Sequence, residues 1–111
     1  MAAGAVLLGA VDGDHPVGLA IVDPAFESRL AWLAFLYVSR PSRRRGAARA
    51  LWDAAIARAG ASGAELVYVS SAPTGSAVGF YLEQGCRLAE PVHPLLFAAE
   101  PDDVHLVCSL P

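Results

Sequence analysis

Five arginines, Arg40, Arg43, Arg44, Arg45 and Arg49, fall within ten residues, and no acidic residue interrupts them. The protein carries a formal net charge of −3, so this is a basic island in an acidic chain. Such an island reads as a local site for an anion. It lies between an apolar run ending at Val38 and an amphipathic pattern starting at Gly46. It therefore sits where a strand passes into a helix. The first turn of a helix leaves its N–H groups without intrahelical partners and carries partial positive charge. A phosphate complements both, and arginine side chains add charge-assisted bonds. Gly46 and Ala48 would let the anion approach the backbone closely. The competing reading is a solvated basic loop before an ordinary helix. Two familiar phosphate motifs are excluded: a Walker A loop needs a lysine, which the chain lacks entirely, and a dinucleotide fingerprint needs three spaced glycines. Cys86 and Cys108 have no metal-type spacing, so no metal site is expected.

The elements that must position this segment follow from hydrophobic patterning. Gly4 to Val11 and His15 to Val22 are apolar runs around the turn Asp12-Gly13-Asp14, and the second is expected to stop at Asp23-Pro24. Together they predict a β-hairpin. Arg29 to Val38 reads as a central strand covered on both sides, with Leu30, Trp32, Ala34, Leu36 and Val38 alternating with Ala31, Leu33, Phe35 and Tyr37. From Gly46 the period becomes helical. Ala48, Leu51, Trp52, Ala55, Ile56 and Ala59 form one stripe, Arg49, Asp53 and Ala57 the opposite face, and Gly60 and Gly63 the end. Glu65 to Ser70 is a buried strand by its β-branched and aromatic content. Thr74 or Ser76 can cap a second helix running to Gln84, with Gly85 as its stop. Cys86 to Ala89 and Val104 to Leu110 are strand candidates separated by a Pro-containing loop. The order is β-β-β-α-β-α-β-β, an α+β domain with a mixed, mostly antiparallel sheet and helices packed on it.

With 111 residues, the chain has room for one domain, residues 1–111. A composition 55% hydrophobic and 17% charged excludes disorder. Its most apolar uncharged stretch, Leu30 to Val38, is less than half of the roughly 20 residues of a membrane span. No basic segment precedes the apolar N-terminus, so a signal peptide is not expected and a reducing cytoplasm is the default. Net acidity and the lack of aromatics interleaved with the arginines argue against a nucleic-acid partner.

Within this framework, Arg43-x-x-Gly46-x-Ala48 after Leu36-Tyr37-Val38 resembles the Arg/Gln-x-x-Gly-x-Gly/Ala motif of the GNAT superfamily of acyl-CoA-dependent N-acyltransferases. Thr74 to Cys86, with Ala77, Phe80, Tyr81 and Gly85 in place, resembles the family's Asn-x-x-Ala-x-x-Phe-Tyr-x-x-x-Gly-Phe. Thr74 replaces the usual Asn and Cys86 the usual Phe. The resemblance covers Ala5 to the C-terminus and implies a GNAT-like fold and acetyl-CoA as co-substrate. Leu36, Tyr37 and Val38 would flank the pantetheine arm where their strand splays from the next. The pyrophosphate would rest on the segment Arg43, Arg44, Arg45, Gly46, Ala47, Ala48 and Arg49, with Thr74 as a further cofactor contact. The thioester would lie near the gap between Tyr37 and Ser70. Tyr81 would protonate the departing thiolate, because a phenol stays neutral at pH 7 and can donate. Its alternative is a core aromatic with a wet tip; Thr74 is equally explained as an N-cap.

The implied reaction moves an acetyl group to a primary amine, on a small molecule or a peptide, by direct attack within a ternary complex. The alternative is a non-catalytic acyl-CoA-binding or protein-interaction domain of the same fold. Two departures favour that alternative. Leu30 to Val38 holds no carboxylate to act as base, which leaves Glu27, His93, His105 or a water chain. The chain also begins at the hairpin, without the family's first strand and two helices. An apolar sheet face is then expected to lack cover, which suggests a homodimer, a partner subunit or a truncated form. Cys86 and Cys108 are expected to be buried free thiols. The acidic tail residues Glu90, Glu100, Asp102 and Asp103 would suit a cationic acceptor or merely a solvated loop.

Overall fold

The computed structural model describes residues 4–39 and 46–111. Strands β1 (Val6–Asp12), β2 (His15–Glu27) and β3 (Leu30–Val38) form an antiparallel meander. Helix α1 (Ala47–Ala61) crosses over to β4 (Leu66–Ser71), which runs parallel to β3. Helix α2 (Gly75–Glu83), the short β5 (Arg87–Leu88), helix α3 (Pro94–Ala99) and β6 (Val104–Ser109) complete the domain. The six-stranded sheet has the order β1-β2-β3-β4-β6-β5, with β3–β4 as its parallel pair.

One face of this sheet carries the main core. Ala20, Val22, Leu33, Val67, Val69 and Leu106 meet Leu51, Trp52, Ala55 and Ala59 of α1 and Tyr81 of α2. Four positions of the expected α1 stripe are buried, while Ala48 and Ile56 are half-buried. The helix runs past Gly60 and ends before Gly63, whose φ of 88° suits only a residue without a Cβ. The other face is covered in part. Helix α3 places Leu96 against Tyr68, Ala89, Phe26, Leu30 and Trp32. Further along that face Leu7, Leu19 and Phe35 remain exposed.

Three expectations are corrected. Strand β2 does not stop at Asp23-Pro24 but continues to Glu27, because the register shifts between Asp23 and Glu27 and the proline need not donate to a ladder there. Asp23 is buried, and its carboxylate accepts from Ala25 N–H (3.3 Å). The segment between β5 and β6 is not all loop: His93 caps α3 and Pro94 opens it, a favoured first-turn position for proline. Finally, β3 does not alternate evenly. Ile21 pairs with Phe35 and Val22 with Leu33, so Ala34 is the extra residue of a β-bulge. The bulge puts Ala31, Leu33, Leu36 and Val38 on the α1 side, and Leu30, Trp32, Phe35 and Tyr37 on the other.

Candidate active site

The bulge coincides with a fork. Strand β3 pairs with β4 from Leu30–Leu66 to Leu33–Val69, where the ladder ends. Beyond it, β3 stays with β2 through Leu36–Ala20, Tyr37–Leu19 and Val38–Gly18. Strand β4 stays with β6 through Ser70–His105 and Ser71–Val104. The two halves of the sheet therefore separate at Ala34. Leu36, Tyr37 and Val38 lie on one limb of this fork and Ser70 and Ser71 on the other, as the splay expected from the sequence requires. Gly18 holds the first limb together: a Cβ there would meet the Tyr37 carbonyl oxygen at 2.7 Å and Leu51 at 3.1 Å.

Past the β3 limb stands the start of α1. Gly46 has φ 84°, supplies no side-chain cap, and no acidic residue stands in the first turn. Among the described residues, the first N–H groups of the helix, from Ala47 to Arg49, therefore meet no side-chain cap. Arg40, Arg43, Arg44 and Arg45 lie outside the described residues. Arg49 is exposed, and its guanidinium pairs with Asp53 one helical turn on (3.1 Å), a contact of small energetic weight at the surface.

Tyr81 projects from α2 into the main core. Its ring lies 5.9 Å from that of Trp52 and 5.3 Å from that of Phe80, and the residue is 5% exposed. Burial first, and then the neighbouring Cys86 thiol, push its pKa up to about 12. It is thus a neutral phenol across the physiological range. Thr74 caps α2, its hydroxyl accepting from Ala77 N–H (3.2 Å). Cys86 and Cys108 are free and buried, and burial together with Cys108 raises the Cys86 thiol well above its ordinary value. Cys86 is thereby unsuited to nucleophilic work, which needs a thiolate.

The three candidate bases come together on the α3 side of the sheet, and each is engaged. His93 Nε2 lies 3.0 Å from Glu27, while its Nδ1 accepts from Leu96 N–H (3.4 Å). His105 Nδ1 is 2.6 Å from the Tyr68 hydroxyl and Nε2 is 2.8 Å from the Glu100 carbonyl. Since the carbonyl can only accept, Nε2 carries the ring proton and Tyr68 donates to Nδ1. Tyr68 in turn accepts from His93 N–H (3.1 Å), and burial raises its pKa. Local sequence patterns cannot reveal this Tyr68-centred network, because it joins residues 25 and 37 positions apart.

Among the described residues, two buried side-chain atoms lack a hydrogen-bond partner: Trp32 Nε1 and Ser70 Oγ. Such an orphan costs about 1–3 kcal/mol unless something else satisfies it. Trp32 leans on Phe26, with ring centroids 5.4 Å apart. Ser70 is the first β4 residue beyond the last β3–β4 pair.

The sequence model of the Acetyltransferase (GNAT) family matches residues 2–86, and the chain belongs to that family. Solved structures agree on the fold. The PaiA N-acetyltransferase of Thermoplasma acidophilum, in complex with coenzyme A, is 14% identical with TM-score 0.78, over 96% of this chain and 61% of its own. A GNAT-family acetyltransferase of Staphylococcus aureus is 18% identical with TM-score 0.80, over 97% and 69%. An aminoglycoside 6'-N-acetyltransferase complexed with coenzyme A is 17% identical with TM-score 0.76, over 96% and 73%. The chain thus spans 61–73% of the length of these structures. No curated protein matches it.

Proposed function

We propose that the protein transfers an acetyl group from acetyl-CoA to a primary amine by direct attack in a ternary complex. The observation that carries this reading is the fork, with the uncapped start of α1 beyond its β3 limb. The parting of β3 from β4 beyond Leu33–Val69 supports an extended amide-bearing arm laid between the two limbs, much as a sheet accepts an added strand. The N–H groups of Ala47, Ala48 and Arg49 suit a pyrophosphate, and Arg43, Arg44 and Arg45 precede them in the chain. The Thr74 hydroxyl, still able to donate while it caps α2, is a further contact for the coenzyme.

In this reading the amine nitrogen forms a bond to the acyl carbon, the carbon–sulfur bond breaks, and the sulfur takes the Tyr81 proton. Proton loss from the amine runs through water, since both histidines are held in their present hydrogen bonds and Glu27 is paired with His93. The test is release of free CoA thiol with a panel of primary amines. Tyr81→Phe is expected to lower kcat about 100-fold, a usual size for lost general acid catalysis, with coenzyme affinity unchanged.

The alternative, a non-catalytic acyl-CoA-binding or protein-interaction domain, draws on the deep burial of Tyr81 and the engagement of all three candidate bases. Binding of CoA without turnover of any amine would establish it. The exposed Leu7, Leu19 and Phe35 support a second subunit over that face, as homodimer or with a partner chain; a monomer by light scattering would exclude the homodimer. Two free buried thiols suit a reducing compartment such as the cytoplasm. A Cys86–Cys108 bridge in protein isolated without reductant would overturn that. No helix among the described residues is long and apolar enough to cross a membrane.

A further inference from the structure

We infer that Ser70 holds the acyl group, its hydroxyl donating to the carbonyl oxygen of the bound thioester; this rests on the proposed acetyl-CoA reading. Ser70 stands where β4 leaves β3, one residue past the terminal Leu33–Val69 pair. Its Oγ is buried and lacks a partner. Alternation along β4 places Val67 and Val69 toward α1 and α2, and Tyr68 and Ser70 toward α3. The hydroxyl therefore lies at the inner end of the fork on the side that α1 and α2 do not fill.

Its chemistry follows from its neighbours. Cross-strand His105 is the obvious base for a serine, but both ring nitrogens are already bonded, to Tyr68 and to the Glu100 carbonyl. Among the described residues nothing is placed to remove the Ser70 proton, so the hydroxyl is a neutral donor rather than a nucleophile. A buried donor without a partner, set where the strands part, suits a group that can only accept, and a thioester carbonyl is such a group. As the carbonyl gains negative charge during attack the same bond strengthens, which is the useful direction for catalysis. Trp32 Nε1 shares this face, but its ring packs on Phe26 of β2, so the hydroxyl at the fork is the one assigned.

Calorimetric titration of CoA and of acetyl-CoA into the wild type, Ser70→Ala and Ser70→Thr tests this without requiring turnover. Ser70→Ala is expected to weaken acetyl-CoA about fivefold, the size of one neutral hydrogen bond, and to leave CoA within twofold. Ser70→Thr keeps a hydroxyl and is expected to restore the wild-type ratio. The melting temperature of Ser70→Ala should stay level or rise, because a buried orphan is removed. An unchanged acetyl-CoA to CoA ratio, or equal weakening of both ligands, overturns the assignment of Ser70 alone. Failure of the wild type to bind either ligand overturns the acetyl-CoA reading itself.

Discussion

Tyr81 makes alkaline stability a quantitative probe of the core beneath the fork. Its pKa is pushed from 10.0 up to about 12, with burial as the leading cause. The fold therefore favours the protonated phenol more than the unfolded chain does. Two units at 1.36 kcal/mol each amount to about 3 kcal/mol of stabilisation. That contribution is complete below pH 10 and is lost as pH rises through 12, with about 1.4 kcal/mol gone by pH 11. Tyr81→Phe cannot ionise and should lack this slope, while differing little from the wild type at pH 8, where the hydroxyl makes no hydrogen bond among the described residues. Urea unfolding of both proteins at pH 8, 10 and 11 gives the comparison, and subtracting the two curves removes the part due to other groups such as Cys86. Parallel curves across that range would refute the reasoning, for they would mean that the phenol ionises as easily folded as unfolded. The result bears on the chemistry as well: a phenol held neutral to about 12 can donate a proton throughout the working range, so no alkaline loss of rate below pH 11 should trace to it.

Two further substitutions test the frame of the site. Gly18→Ala forces a Cβ to 2.7 Å from the Tyr37 carbonyl oxygen, and should cost about 1–3 kcal/mol in thermal unfolding and weaken CoA in calorimetry. Gly9→Ala, with nothing within 4 Å, is the control and should stay within about 1 kcal/mol. Tyr68→Phe leaves His105 Nδ1 and His93 N–H without their partner, and should lower stability by about 1–3 kcal/mol in urea unfolding.

Periodicity made much of the architecture legible. The hairpin, β3, α1 and β4 follow from apolar runs and the α1 stripe, and Thr74 and Gly85 punctuate α2 as their residue types suggest. What escaped was of three kinds. The Ala34 bulge inverts the pleat without any glycine or proline to mark it. Helix α3 is only six residues long, too short for a period to show, although His93-Pro94 is a cap followed by a favoured first-turn residue. The remaining misses are relations between distant positions. Glu27 and His93 were separate candidates until the fold paired them, and Ser70 became notable only when no partner reached its hydroxyl. The GNAT resemblance, read from Arg43-x-x-Gly46-x-Ala48 and the Thr74 to Cys86 segment, agrees with the family match over residues 2–86.

The extra residue at Ala34 divides β3 into a half paired with both β2 and β4 and a half that, among the described strands, pairs with β2. Deleting Ala34 would set Phe35 directly after Leu33 and still opposite Ile21, so Phe35 and Tyr37 would keep their face, Leu36 and Val38 theirs, and every β2 partner would be retained. The residue is thus a removable kink: its loss would straighten the strand where it leaves β4 without turning over a single side chain.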